Sequence, residues 1–104
     1  MREDAVLTRA RREFTRSGGY AIKTSGDAEP DLVGSVAGQS VVVETKQPGE
    51  KPRPDQYAKL RRWASSGAIA LWTDSDHWYR VMPDGQVVFV RGGEFPFRER
   101  EYRP

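Results

Sequence analysis

At 104 residues the chain has room for one central sheet and two or three covering helices, and none for a second catalytic domain. It contains no cysteine, which excludes disulfides and thiolate metal sites and suits a reducing cytoplasm, and its formal net charge of +2 is too small to name a partner by itself. No apolar run reaches the roughly 18 residues of a membrane span, and the charged start Met1-Arg2-Glu3-Asp4 is unlike a signal peptide.

In chain order, Glu3 to Arg16 carries Val6, Leu7, Ala10 and Phe14 at helical spacing, with Arg9, Arg11, Arg12 and Arg16 on the other side. Gly18-Gly19 supplies the left-handed residue that ends this helix. Tyr20 to Thr24 alternates Tyr/Ile against Ala/Lys and predicts a first strand. Leu32 to Val36 and Ser40 to Lys46 predict a hairpin joined by Ala37-Gly38-Gln39. Pro48 to Pro54 is a Pro/Gly loop that cannot be helix interior. A second helix runs from about Asp55 to Ser65, with Leu60, Trp63 and Ala64 as its buried side. Ala68 to Trp72 is an apolar strand expected to lie parallel to its neighbour. Trp78 to Met82 and Gln86 to Val90 form a C-terminal hairpin across Pro83-Asp84-Gly85, and the tail from Arg91 reads as extended or mobile. The whole is a mixed α/β sandwich around one sheet.

Charge is unevenly spread. Lys46, Lys51, Arg53, Lys59, Arg61 and Arg62 stand against only Glu50 and Asp55, as on a phosphate-tracking surface or a merely solvated helix face. Glu44 and Lys46, two apart on a strand, share one face. Pairing the hairpin symmetrically about Gly38 sets Asp31 opposite Thr45, beside both of them. Two carboxylates so close repel unless a cation lies between them. Few hard oxygen donors suit Mg²⁺ or Mn²⁺, with the Thr45 backbone carbonyl as a further ligand. Lys46 would then orient or deprotonate the water that attacks a phosphodiester. Taken singly, an E-x-K triplet is commonly a surface ion pair, and Pro-Asp commonly opens a turn. In order, on apolar strands, they are more specific, because Val41, Val42 and Val43 argue for burial and buried charges need partners.

Pro30-Asp31 followed by Val41-Val42-Val43-Glu44-Thr45-Lys46 resembles the PD-(D/E)XK nuclease signature, and the chain is most similar to its VRR-NUC branch of stand-alone phage and bacterial proteins and repair-nuclease domains. The likeness spans about residues 3 to 73: Gly26, Pro30-Asp31, Glu44-Thr45-Lys46, then Gly49, Lys51, Pro52, Pro54 and Gln56 in order. Asp27-Ala28-Glu29 makes the approach to Pro-Asp longer than the family's usual one. The resemblance implies a restriction-endonuclease-like mixed sheet flanked by helices, with the C-terminal hairpin added, in a single nuclease domain over 1–104. It implies metal ligation by Asp31 and Glu44, catalysis by Lys46 and a supporting polar role for Gln56, whose inward phase equally fits a helix cap. An acid on the first helix is implied too, Glu3 before Glu13, although the helix dipole alone favours an acid at Glu3. The implied activity is Mg²⁺- or Mn²⁺-dependent DNA cleavage, on branched or structured DNA of Holliday-junction or flap type, in repair or recombination within a bacterial or phage-infected cell. A homodimer would match the two-fold character of such substrates. Lys23, Lys51, Arg53, Lys59 and Arg62 are the expected DNA contacts. The main rival is a DNA-binding module that keeps the fold without turnover; a surface charge network in an interaction protein is a second. Asp74-Ser75-Asp76-His77 reads as a turn, Trp63 and Trp72 as core, and Trp78 as either core or a base-stacking surface.

Overall fold

The apolar stripe of the first segment and the β-branched runs that follow it fold as their periods require. A computed structural model describes residues 3–90 and, at Glu3, the backbone alone; the tail from Arg91 lies outside the described residues. The elements are α1 (Glu3–Arg16), β1 (Tyr20–Lys23), β2 (Leu32–Val36), β3 (Gln39–Thr45), α2 (Pro54–Ser65), β4 (Ile69–Thr73), β5 (Trp78–Val81) and β6 (Val87–Phe89). They build a six-stranded mixed sheet in the order β1-β2-β3-β4-β5-β6. β3 and β4 are parallel, joined through α2, and every other neighbouring pair is antiparallel. Among the described residues no helix is long and apolar enough to cross a membrane.

Side-chain alternation along the strands divides the core into two layers. Ala10 and Phe14 of α1 pack with Leu32, Val41, Val43 and Leu71 on one face. Leu60 and Ala64 of α2 pack with Val42, Ala70, Trp72 and Val81 on the other. The helices are staggered: α1 lies over β1, β2 and β3, whereas α2 lies over β3, β4 and β5. This stagger decides the burial of β1. Ala21 is buried beneath α1, but Tyr20 and Ile22 point to the face that α2 does not reach and are 73% and 50% exposed. At the opposite edge, Val87 and Phe89 of β6 are likewise exposed.

Close packing fixes the turn between α1 and β1. Gly18 takes the left-handed conformation (φ 79°) that ends the helix, while a Cβ on Gly19 would lie 2.6 Å from both the Ser35 carbonyl and the Val36 side chain. The hairpin corrects the sequence reading by one residue. Its turn is the pair Ala37-Gly38, both with positive φ (52° and 81°), and Val36 faces Gln39 across it. This is the backbone of a type I′ turn, whose twist matches that of the strands. Leu32 is therefore opposite Val43, where symmetry about Gly38 would set it opposite Glu44, and Asp31 lies just beyond the paired residues.

Candidate active site

The end of the sheet where β3 and β4 finish is shaped by Pro30-Asp31, the last residues of β3, Lys46 and the first turn of α2. Strand alternation sends Val42, Glu44 and Lys46 to the α2 face and Val41, Val43 and Thr45 to the α1 face. Glu44 and Lys46 thus share a face, and Lys46 Nζ lies 3.7 Å from Glu44 Oε2. Both are buried, at 2% and 7% exposure. At that separation the contact is Coulombic rather than a short hydrogen bond, and each charge offsets part of the cost of burying the other.

Asp31 is held differently. Its Oδ2 accepts the Thr45 N–H at 2.8 Å and the Thr45 Oγ1–H at 2.7 Å. β2 starts only at Leu32, so the carboxylate supplies the acceptor that the ladder no longer offers Thr45. No hydrogen bond among the described residues engages Oδ1. Thr24 braces the segment from β1, its N–H donating to the Asp31 carbonyl at 2.9 Å and its hydroxyl to the Pro30 carbonyl. The longer Asp27-Ala28-Glu29 approach is tied to α2: Glu29 Oε1 accepts from Trp63 Nε1 at 3.3 Å, and Glu29 Oε2 lies 3.9 Å from Lys59 Nζ.

Gln56 faces inward as its phase requires. Its Oε1 accepts the Arg53 N–H at 2.9 Å, so the amide oxygen caps α2, with Pro54 at the first helical position. This anchors Arg53 at the rim of the site. Its guanidinium holds its proton more tightly than usual, chiefly through the hydrogen bond to Asp55 and that carboxylate's charge, with Asp27 and Glu44 adding to the field. The same hydrogen bond holds the Asp55 carboxyl below its usual range.

The expected DNA contacts divide into groups. Lys51 and Arg62 are exposed and form no ion pair among the described residues. Arg53 and Lys59 are paired, with Asp55 at 3.1 Å and Glu29 at 3.9 Å. Arg61 donates to the Pro83 carbonyl at 2.9 Å and ties α2 to the β5–β6 turn. Lys23 stands at the end of β1 on the α1 face, away from the others. The side chain of Glu3 lies outside the described residues. Glu13 turns to Arg16 at 3.5 Å and borders a crevice with Thr73, Ser75 and Trp78 on the α1 face, so it is not beside Glu44. Asp74 Oδ1 accepts the N–H groups of Asp76 and His77 at 3.0 and 2.8 Å, which makes that segment a turn. Trp72 is buried and stacks on Tyr79 with ring centroids 4.2 Å apart, and Trp78 is buried in the α1-side core.

Two participants were not singled out by the sequence. The Thr45 side chain carries one local signal, a hydroxyl placed between Glu44 and Lys46. Glu29 gave none, since its partner Trp63 is 34 residues away. As a donor set, Asp31, Glu44 and the Thr45 carbonyl fit a small hard cation that keeps several waters. Among the described residues no group of three or more acidic or histidine side chains forms a fuller cage. No protein-family model matches the sequence, and no curated protein matches it.

Proposed function

We propose that this chain is a metal-dependent DNA endonuclease with a restriction-endonuclease-like fold. The observation that carries the reading is the convergence of Asp31, Glu44 and Lys46 at one end of the sheet: Asp31 accepts from Thr45, the residue between the other two, and Lys46 Nζ lies 3.7 Å from Glu44 Oε2. The element order supports it as well: a helix, three antiparallel strands, a helix on the opposite face, and a parallel strand.

Asp31 and Glu44, with the Thr45 carbonyl, would hold Mg²⁺ or Mn²⁺. Bound there, the ion would neutralise charge developing on a phosphodiester. The chain's own groups do the rest. Thr45 fixes one oxygen of Asp31 and so orients the other. Glu44 keeps Lys46 at the site as an ammonium, which orients the attacking water and offsets the negative charge the water gains as its proton passes to solvent. Gln56 acts by capping α2, which sets the Arg53 guanidinium at the rim where a phosphate would pass.

For substrate we propose branched or structured DNA, and for the assembly a homodimer. Exposed Tyr20 and Ile22 on the edge strand β1 favour self-association. For location we propose a reducing cytoplasm, which a chain without cysteine suits, and the bacterial or phage-infected setting follows from the family resemblance alone. A second reading, a binding module without turnover, is favoured by one observation: Asp31 and Glu44 each already have a protein partner.

The test is cleavage of linear, flapped, single-stranded and four-way DNA with Mg²⁺, with Lys46→Met as the control variant. Wild-type cleavage that requires the ion, and a loss of at least about 100-fold in Lys46→Met with DNA affinity nearly intact, is the expected result. Binding without cleavage of any of these substrates would establish the rival instead.

A further inference from the structure

The outward stripe of α1 and the end of β1 enclose an open groove of about 380 Å³ on the sheet face opposite α2. Leu7 and Leu32 contribute its apolar part, and the charges come from Arg11, Arg12 and Lys23. Among the described residues none of these three side chains makes an ion pair or hydrogen bond, and no acidic side chain lines the groove. That separates them from Arg16, Arg53 and Lys59, each answered by a carboxylate. Three like charges brought together without a counter-charge repel, and an anion in the groove relieves the repulsion.

The groove adjoins the candidate active site. Leu32 follows Asp31 directly, and Lys23 is its register partner on β1. Glu44 and Lys46 lie two strands away and on the other face of the sheet, so a nucleic-acid strand runs from the groove to them around the sheet's end.

We propose that Arg11, Arg12 and Lys23 form a second phosphate-binding surface, which holds the DNA backbone to one side of the scissile phosphate as the strand passes around the end of the sheet. That position rests on the nuclease reading; the phosphate affinity does not. The groove offers charge and a short apolar floor without a pocket for a base edge, so it positions the backbone and carries no sequence preference.

The experiment compares wild type with the triple variant Arg11→Gln/Arg12→Gln/Lys23→Gln and with Arg11→Lys/Arg12→Lys, which keeps the charge. DNA binding is measured in Ca²⁺ over a range of salt, using substrates shortened one nucleotide at a time on either side of the cleavage position. The triple variant should lose about two to three from the log–log salt slope on duplex DNA, and the lysine variant should keep it. Wild-type affinity should drop once one flank is too short to reach the groove, and the triple variant should not register that truncation. An unchanged slope with wild-type truncation behaviour overturns the proposal. So does a groove that binds inorganic phosphate, by thermal shift lost in the triple variant, while the DNA slope stays unchanged. A wild type that never cleaves but loses its slope in the triple variant refutes the nuclease reading and leaves the groove standing. Cleavage with an unchanged slope does the reverse.

Discussion

Asp31 accepts from Thr45, the neighbour of Glu44, and like-charge repulsion between the two carboxylates alone would make removal of either one stabilising without metal. Their partners reverse that sign. Asp31→Ala would leave the Thr45 N–H and hydroxyl without their acceptor at a residue 1% exposed, a cost of about 1–3 kcal/mol. Glu44→Gln would remove the carboxylate 3.7 Å from a buried Lys46, where breaking one side of such a pair costs about 3–5 kcal/mol. Chemical denaturation in EDTA checks both: each variant should unfold at lower denaturant than wild type. The double variant Glu44→Gln/Lys46→Met should recover much of the second loss. A rise in metal-free stability of either single variant would show that repulsion outweighs these partners.

Element by element, the sequence carried the fold further than the register. The stripe Val6, Leu7, Ala10 and Phe14 gave α1 to the residue, and Pro54 with Gly67 bracketed α2 closely, because period, proline and glycine act through local sterics. The hairpin turn is one residue shorter than the sequence suggests because Ala-Gly lacks the Asn-Gly or Asp-Gly chemistry that marks a type I′ turn, and only the paired strands force Ala37 to φ 52°. That strain is itself testable. Ala37→Asn should raise stability by about 0.5–1 kcal/mol, since asparagine tolerates the left-handed region better than alanine. Thermal melts would read it as a shift of a few degrees upward, and a neutral or negative shift would mean that the turn is not held left-handed in solution. The exposure of Tyr20 and Ile22 was equally beyond local reading. It depends on how far α2 reaches across the sheet, which is a property of helix packing rather than of β1.

For the molecule as a whole, the arrangement of charge matters more than the net +2. The basic residues from Lys46 to Arg62 look like one surface in sequence, but pairing with Asp55 and Glu29 partly neutralises it, and Arg61 is spent on the Pro83 carbonyl. Lys51 and Arg62 remain as full charges on the α2 side. Replacing both with Gln should therefore lower the DNA-binding salt slope by about two, whereas replacing Arg53 and Lys59 should lower it by less. Salt titrations of the two double variants, in Ca²⁺, separate the cases. Equal losses would show that the ion pairs open when DNA binds. The identity of these residues was legible in the sequence; which of them keep their charge was not, because the neutralising Glu29 lies far from Lys59 along the chain.

The burial of Lys46 also bears on the chemistry of the chain's amines. Lys23 and Lys51 are exposed and Lys59 is half-exposed, whereas Lys46 is 7% exposed. Mild acylation should therefore mark the other lysines first and reach Lys46 only when the end of the sheet opens. The lag between the two classes, followed by mass spectrometry of peptides, becomes a clock for local unfolding at this site.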